Sequence, residues 1–267
     1  MRQYLKRTSF YGLTNAQLDR SRLMLLEQFP LFEDEEGRPF ALLSCKGMSD
    51  EDRAFRKVRA MIPFEYKGKL AKSFKWKNYT GHDCREQKDA VNKFITRFDD
   101  FREKGIGLYI YSKTKGSGKT MLSCCILNEI ANRYPVSVKF ITILDLLEVT
   151  KQSYNGADDT LRSLYGATVL VIDDIGVQMR KDWVDTVLFK LINARYTERM
   201  ITVYTSNVSM EDLNLDDRIK DRIQSNCIEV HMPEIPVRNI LKSAEKRQFM
   251  DSLENAPDGA TNTEQGE

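Results

Sequence analysis

Gly116-Ser117-Gly118-Lys119-Thr120 is the sharpest chemical signal in the chain. Glycines let the backbone N–H groups of a tight loop curl around phosphate oxygens, and a helix opening directly afterwards adds the positive end of its dipole. A lysine at the end of such a loop reaches β- and γ-phosphates, and the hydroxyl that follows can ligate Mg2+. Gly116, Ser117, Gly118, Lys119 and Thr120 are therefore expected to hold the phosphates of ATP, with Thr120 also on the metal. The full pattern of these loops opens on a glycine where this chain has Lys113. The stretch Ser112-Lys113-Thr114-Lys115 is thus basic, and Lys113 is expected either to weaken the match or to add phosphate contacts.

A second group is Asp173-Asp174, closing the apolar run Val169-Leu170-Val171-Ile172 about fifty residues downstream. An acid at the end of a fully apolar strand stands at the sheet edge where ligands bind in open α/β folds. Asp173 fits a ligand of the Mg2+ shell, and Asp174 fits a carboxylate that orients the attacking water. Alone, such a pair is equally well explained as a solvated strand end; beside the phosphate loop it is not. Thr205-Ser206-Asn207 ends another apolar run, with Asn207 placed to contact a γ-phosphate. Arg218 and Arg222 lie four apart in Asp217-Arg218-Ile219-Lys220-Asp221-Arg222, hence on one helix face. Either guanidinium suits a neighbouring subunit's γ-phosphate, because its planar fork spreads over negative charge. Arg238, opening the last helix, is a candidate for a second contact in cis.

These groups need a scaffold that brings loop ends together, and the hydrophobic pattern supplies one. Residues 107–112, 136–143, 168–173 and 201–207 read as strands. Between them, 119–134, the stretches DLLEVTKQSY and ADDTLRSLY, and 182–199 read as helices. Upstream, Ala90, Val91, Phe94, Ile95, Phe98 and Phe101 recur at helical spacing up to Gly105. Alternation of this kind implies a parallel sheet sandwiched by helices. Runs without polar alternation are those of strands covered on both faces.

Residues 1–62 read as a separate, mostly helical region. One helix is expected from Thr14 or Asn15 to about Gln28, a loop over 30–39, and a short helix capped at Ser49 and ending before Pro63. Arg53, Arg56, Lys57 and Arg59 are expected on the exposed face of that short helix. From Phe64 to Tyr79 aromatics interleave with lysines. Such a mixture can stack bases and bind phosphates, but the favoured reading is a lead-in whose aromatics pack while its lysines face water. Residues 63–250 form the nucleotide-binding unit, and 251–267, polar and acidic, read as a disordered tail.

The charge balance, 41 Lys and Arg against 39 Asp and Glu, does not by itself imply a nucleic-acid partner. Five cysteines with no C-x-x-C spacing, and a single His82-x-Cys84, argue against zinc and for reduced thiols in a cytoplasmic protein. There is no apolar run of ~18 residues to cross a membrane and no signal peptide.

Taken together, the phosphate loop, VLVIDDIGVQ, ARYTERMITVYTSN and DDRIKDRI resemble the AAA+ class of P-loop ATPases. Within it they are similar to the DnaC/DnaI-type helicase loaders and the related IstB-type transposition ATPases. The resemblance runs from Ile62-Pro63 to Arg222. It implies an AAA+ fold with a reduced C-terminal lid, and an ATP- and Mg2+-dependent loader that binds a hexameric replicative helicase through its N-terminal region. Such a loader helps place the ring on single-stranded DNA and self-associates when ATP is bound. The resemblance makes Asn207 the polar sensor, Arg222 the trans-acting arginine in preference to Arg218, and Arg238 the second sensor. Many relatives carry Glu where this chain has Asp174, so slow hydrolysis is expected. Two other functions fit the same motifs: an IstB-like helper of a transposase, and an ATP-binding adaptor with negligible turnover.

Overall fold

The computed structural model describes residues 31–33, 39–41, 50–153, 159–178 and 182–254. The expected helix over 14–28, the cap at Ser49 and most of the tail lie outside them. Leu31–Glu33 (β1) and Pro39–Ala41 (β2) pair antiparallel, so strand residues 31–33 and Pro39 fall within the loop expected over 30–39.

Five strands form the central sheet: β3 (Gly107–Tyr111), β4 (Val138–Thr142), β5 (Val169–Ile175), β6 (Ile201–Ser206) and β7 (Cys227–His231). They are all parallel, in the order β4-β5-β6-β3-β7. Parallel neighbours require crossovers, and helices provide them. Lys119–Arg133 (α4) follows β3, Ile143–Ser153 (α5) and Asp159–Tyr165 (α6) follow β4, and Asp182–Thr197 (α7) follows β5. Asp217–Asn226 (α8) lies between β6 and β7.

Both faces of the sheet are covered, which is why its strands read as continuous apolar runs. Leu108, Ile110, Val171 and Val203 pack on one side with α4. Tyr109, Leu170, Ile172 and Tyr204 pack on the other with α5, α7 and α8. The helical stretch before β3 divides into Arg85–Thr96 (α2) and Phe98–Lys104 (α3), and ends on Gly105 in the left-handed region. Strand β7 did not stand out in the sequence, because only Val230 of its five residues is buried.

The N-terminal side differs from expectation in detail. Asp50–Arg59 (α1) packs on α4 and against the edge strand β4, where Ala60 O accepts from Phe140 N–H and Arg59 O from Lys139 Nζ. Helix α1 thus packs on the sheet although it lies ahead of the boundary expected at 62/63. Phe55 and Val58 face out from α1, while Arg53, Arg56 and Lys57 are half-buried; of the four basic residues expected on its exposed face, Arg59 is exposed. Along the lead-in, Tyr66, Phe74 and Tyr79 are buried, while Lys67, Lys72, Lys75 and Lys77 are exposed. Tyr66, Phe74, Trp76 and Tyr79 pack while Phe64 faces out, and three short 3-10 turns carry the chain across α4. The last helix, Val237–Glu254 (α9), runs four residues past the expected start of the tail. No described helix is long and apolar enough to cross a membrane.

Candidate functional site

The C-terminal ends of β3, β5 and β6 bring three of the predicted groups together. The loop leaving β3 carries Gly116 and Gly118 at φ 76° and 94°, in the left-handed region that glycine tolerates. A Cβ on Gly118 would stand 2.7 Å from the Tyr79 hydroxyl, so the lead-in closes over the loop. Tyr79 itself donates to Ser117 O at 2.5 Å. Lys119, 5% exposed, opens α4 and donates to Ser112 O (3.0 Å), Thr114 O (3.2 Å) and Ser117 Oγ (3.3 Å). Burial lowers its pKa, and the charges of Asp174, Glu234 and Asp173 oppose that fall.

The φ of Lys113 lies outside the left-handed region, so the position does not require glycine. The Lys113 ammonium stands 3.8 Å from Asp212.

Thr120 Oγ1 donates to Asp173 Oδ2 at 3.1 Å, so the two expected metal-shell groups face each other. Asp173 Oδ1 accepts from Thr205 Oγ1 at 2.6 Å, and the same Thr205 oxygen accepts the Asp174 N–H at 2.9 Å. This junction depends on a bulge: Ile172 pairs with Tyr204 and Ile175 with Ser206, leaving one extra residue in β5. Asp174 sits at the bulge with φ 58°. An extra residue there turns the strand end so that one threonine can serve both aspartates. Burial pushes Asp173 up to about 6, with the Asp174 charge adding to it and the Thr205 and Thr120 hydrogen bonds opposing it.

Asn207 Nδ2 stands 3.5 Å from Asp174 Oδ1, at the limit of a hydrogen bond. Thr205, fully buried, makes the closer contacts. In the sequence Thr205 shares a polar strand terminus with Ser206 and Asn207, of which Asn207 alone was the expected contact. Its position two residues before Asn207, opposite the acidic strand end, was the available signal.

Arg238 joins this group by its backbone: its N–H donates to Gly116 O at 3.0 Å, and its Cβ would lie 3.2 Å from a Cβ on Gly116. Arg222 does not join it. Its Nε donates to Asn193 Oδ1 (2.8 Å) and its Nη1 to Arg218 O (2.7 Å), with the guanidinium over Phe189 and Tyr196. It shares a cleft with Gly105, Met200, Thr202 and Cys227, at the N-terminal ends of the strands. Arg218 also stacks on Phe189 and pairs with Asp216.

The residues fit a nucleotide and its metal. The Lys119 ammonium meets neutral oxygens of its own loop, and a hydroxyl and a buried carboxylate converge at Thr120 and Asp173.

Comparison with known proteins agrees with that geometry. Residues 46–239 match the family described as IstB-like ATP binding protein. The replicative helicase loader DnaC of Escherichia coli K12 is 28% identical over 148 residues, covering 53% of this chain and 60% of that protein. The chain thus spans well under two thirds of that relative's length. Among solved structures, the DnaC helicase loader superposes with a TM-score of 0.55 at 22% identity, over 64% of this chain and all of that one. The AMPPCP-bound DnaA of Aquifex aeolicus gives 0.55 at 18% identity, over 72% of this chain and 60% of that one. The sheet and its flanking helices are those of an AAA+ P-loop domain.

Proposed function

Given that the chain belongs to the IstB-like ATP binding protein family, we propose that it is an ATP-dependent loader that binds a hexameric replicative DNA helicase. It helps place that ring on single-stranded DNA during replication initiation, as a cytoplasmic protein that self-associates with ATP. The observation that carries the nucleotide part is the Thr120–Asp173–Thr205 hydrogen-bond chain beside Lys119. The helicase part is supported by the similarity to DnaC, itself a replicative helicase loader.

In this reading Gly116, Ser117, Gly118, Lys119 and Thr120 hold the phosphates, with Arg238 closing from the C-terminal helix. Thr120 and Asp173 hold Mg2+, which when bound neutralises charge on the β- and γ-phosphate oxygens. Thr205 keeps the Asp173 carboxylate aimed at Thr120. Asp174 orients the water and Asn207 steadies Asp174. A short carboxylate on a left-handed residue, contacted by Asn207 at 3.5 Å, supports slow hydrolysis. The same observation favours, as a second reading, an adaptor whose nucleotide orders a binding surface with negligible turnover.

The test is transfer of the cognate helicase onto circular single-stranded DNA with ATP, with and without this protein. A closed circle has no free end, so the ring must be opened or assembled around the strand. Stimulation that disappears on deleting residues 1–49, with α1 left in place, is the expected result. No stimulation and no helicase complex, with ATP still bound, would move the reading to a transposition helper or the adaptor.

A further inference from the structure

Glu234 lies between β7 and α9, and its carboxylate holds the start of the phosphate loop at three points. Oε2 accepts from the Ser112 hydroxyl at 2.8 Å and from the Thr114 N–H at 2.6 Å, and Oε1 accepts from the Lys113 N–H at 2.9 Å. His231 Nε2 stands 3.0 Å from Oε1, and its ring stacks on Tyr111 at 4.6 Å. Hydrogen bonds to an ionised acceptor are about twice as strong as neutral ones.

The residues held are those that hold the lysine. Lys119 Nζ donates to the carbonyls of Ser112 and Thr114, whose hydroxyl and N–H respectively bond Glu234. Four residues beyond Glu234, the Arg238 N–H donates to Gly116 O. One short segment therefore grips the loop at its start and at its middle. At Lys113, where the usual pattern has glycine, the loop is fixed through a backbone N–H.

We propose that Glu234 is a positioning residue for nucleotide binding, its carboxylate locking the start of the phosphate loop to the segment between β7 and α9. The lock presets the Ser112 and Thr114 carbonyls that orient Lys119, and it ties the loop to the segment bearing Arg238. Without it the loop must be ordered by the nucleotide itself, which lowers affinity for ATP and ADP alike and leaves turnover at saturation less affected. This inference rests on the reading of the loop as the ATP site, and the experiment separates the two.

ATP and ADP are titrated into full-length wild type, Glu234→Ala, Glu234→Gln and Lys119→Ala by calorimetry. Amide exchange over residues 112–117 is followed in the nucleotide-free proteins. Glu234→Ala is expected to weaken both nucleotides on the order of tenfold and to speed exchange at Lys113 and Thr114. Glu234→Gln, which keeps one acceptor oxygen, is expected to recover part of both effects, a graded rescue that general destabilisation does not give. Wild-type affinity in Glu234→Ala with unchanged exchange at 113–114 overturns the proposal. Equal nucleotide binding by wild type and Lys119→Ala overturns the site assignment instead, while the exchange rates still decide whether Glu234 holds the loop. If the alanine variant does not fold, the glutamine variant answers both questions.

Discussion

At Asp173 the requirements of stability and of the proposed metal binding oppose each other. The side chain is 4% exposed and faces Thr120 and Thr205, with the Asp174 charge nearby. Burial raises its pKa from 3.8 to about 6, so between those values the folded state holds a proton that the unfolded state has released. By linkage, this group's contribution to stability falls as pH rises through that window and stays low above it. Asp173→Asn keeps an acceptor for Thr205 and removes the buried charge. At pH 8 the metal-free variant is expected to be more stable than wild type, on the order of 1–3 kcal/mol. Thermal melts should show the gain closing as pH falls from 6 to below 4. The same variant should lose Mg2+-dependent nucleotide binding. A variant that melts below wild type at pH 8 would sink the burial account. Motif spacing made Lys119, Thr120 and Asp173 legible as candidates in the sequence, and the structure brings the three together. Thr205 was not legible, since its role depends on a bulge in β5 that no spacing rule marks.

The elements are tied to one another by groups that look ordinary in sequence. Arg195, 1% exposed near the end of α7, spends its guanidinium on five oxygens. They are Thr202 Oγ1 and Ile201 O at the start of β6, Leu164 O and Tyr165 O at the end of α6, and Ala167 O just beyond it. It thereby caps α6 and joins it to α7 and β6. Burial lowers its pKa to about 10, which leaves it charged at neutral pH. Arg195→Met would leave those carbonyls unsatisfied in the interior, at an expected cost of about 3–5 kcal/mol in urea unfolding. Because the site lies at the other end of β6, nucleotide affinity of the folded fraction should not change. A loss below about 1 kcal/mol would mean that water or backbone movement satisfies the carbonyls. Strands β3 to β6 were readable because both faces are buried. Strand β7, covered on one side at Val230 alone, has the composition of a surface loop and was not. Glu234, two residues beyond the buried Met232, was missed with it. Packing of the lead-in aromatics was legible for Tyr66, Phe74, Trp76 and Tyr79 but not the exposure of Phe64, nor that Tyr79 reaches the phosphate loop.

Across the whole molecule, the proposed reading puts different halves of a nucleotide site at the two ends of the sheet. Lys119, Thr120 and Asp173 stand at the C-terminal strand ends. Arg222 lies in a cleft with Gly105, Thr202 and Cys227 at the N-terminal ends. Strands of five residues at about 3.3 Å per residue separate the two by roughly 16 Å. An arginine side chain does not cross that distance, so Arg222 has no route to a phosphate bound at its own Lys119. If it contributes to hydrolysis, it does so in a neighbouring subunit, and a head-to-tail assembly of this chain presents the two ends to each other. Lys119→Ala and Arg222→Ala proteins should each lose ATP turnover. Mixed in equal amounts, they should regain about a quarter of wild-type activity, because random pairing sets an intact Lys119 against an intact Arg222 at one interface in four. Substituting Arg218 in place of Arg222 tests the neighbouring candidate, which is more exposed and held by Asp216. Recovery with one arginine variant and not the other identifies the group that crosses the interface. No recovery at any mixing ratio with either would place the hydrolytic machinery within a single subunit, and would leave Arg222 as a residue that packs α8 onto α7 through Asn193, Phe189 and Tyr196.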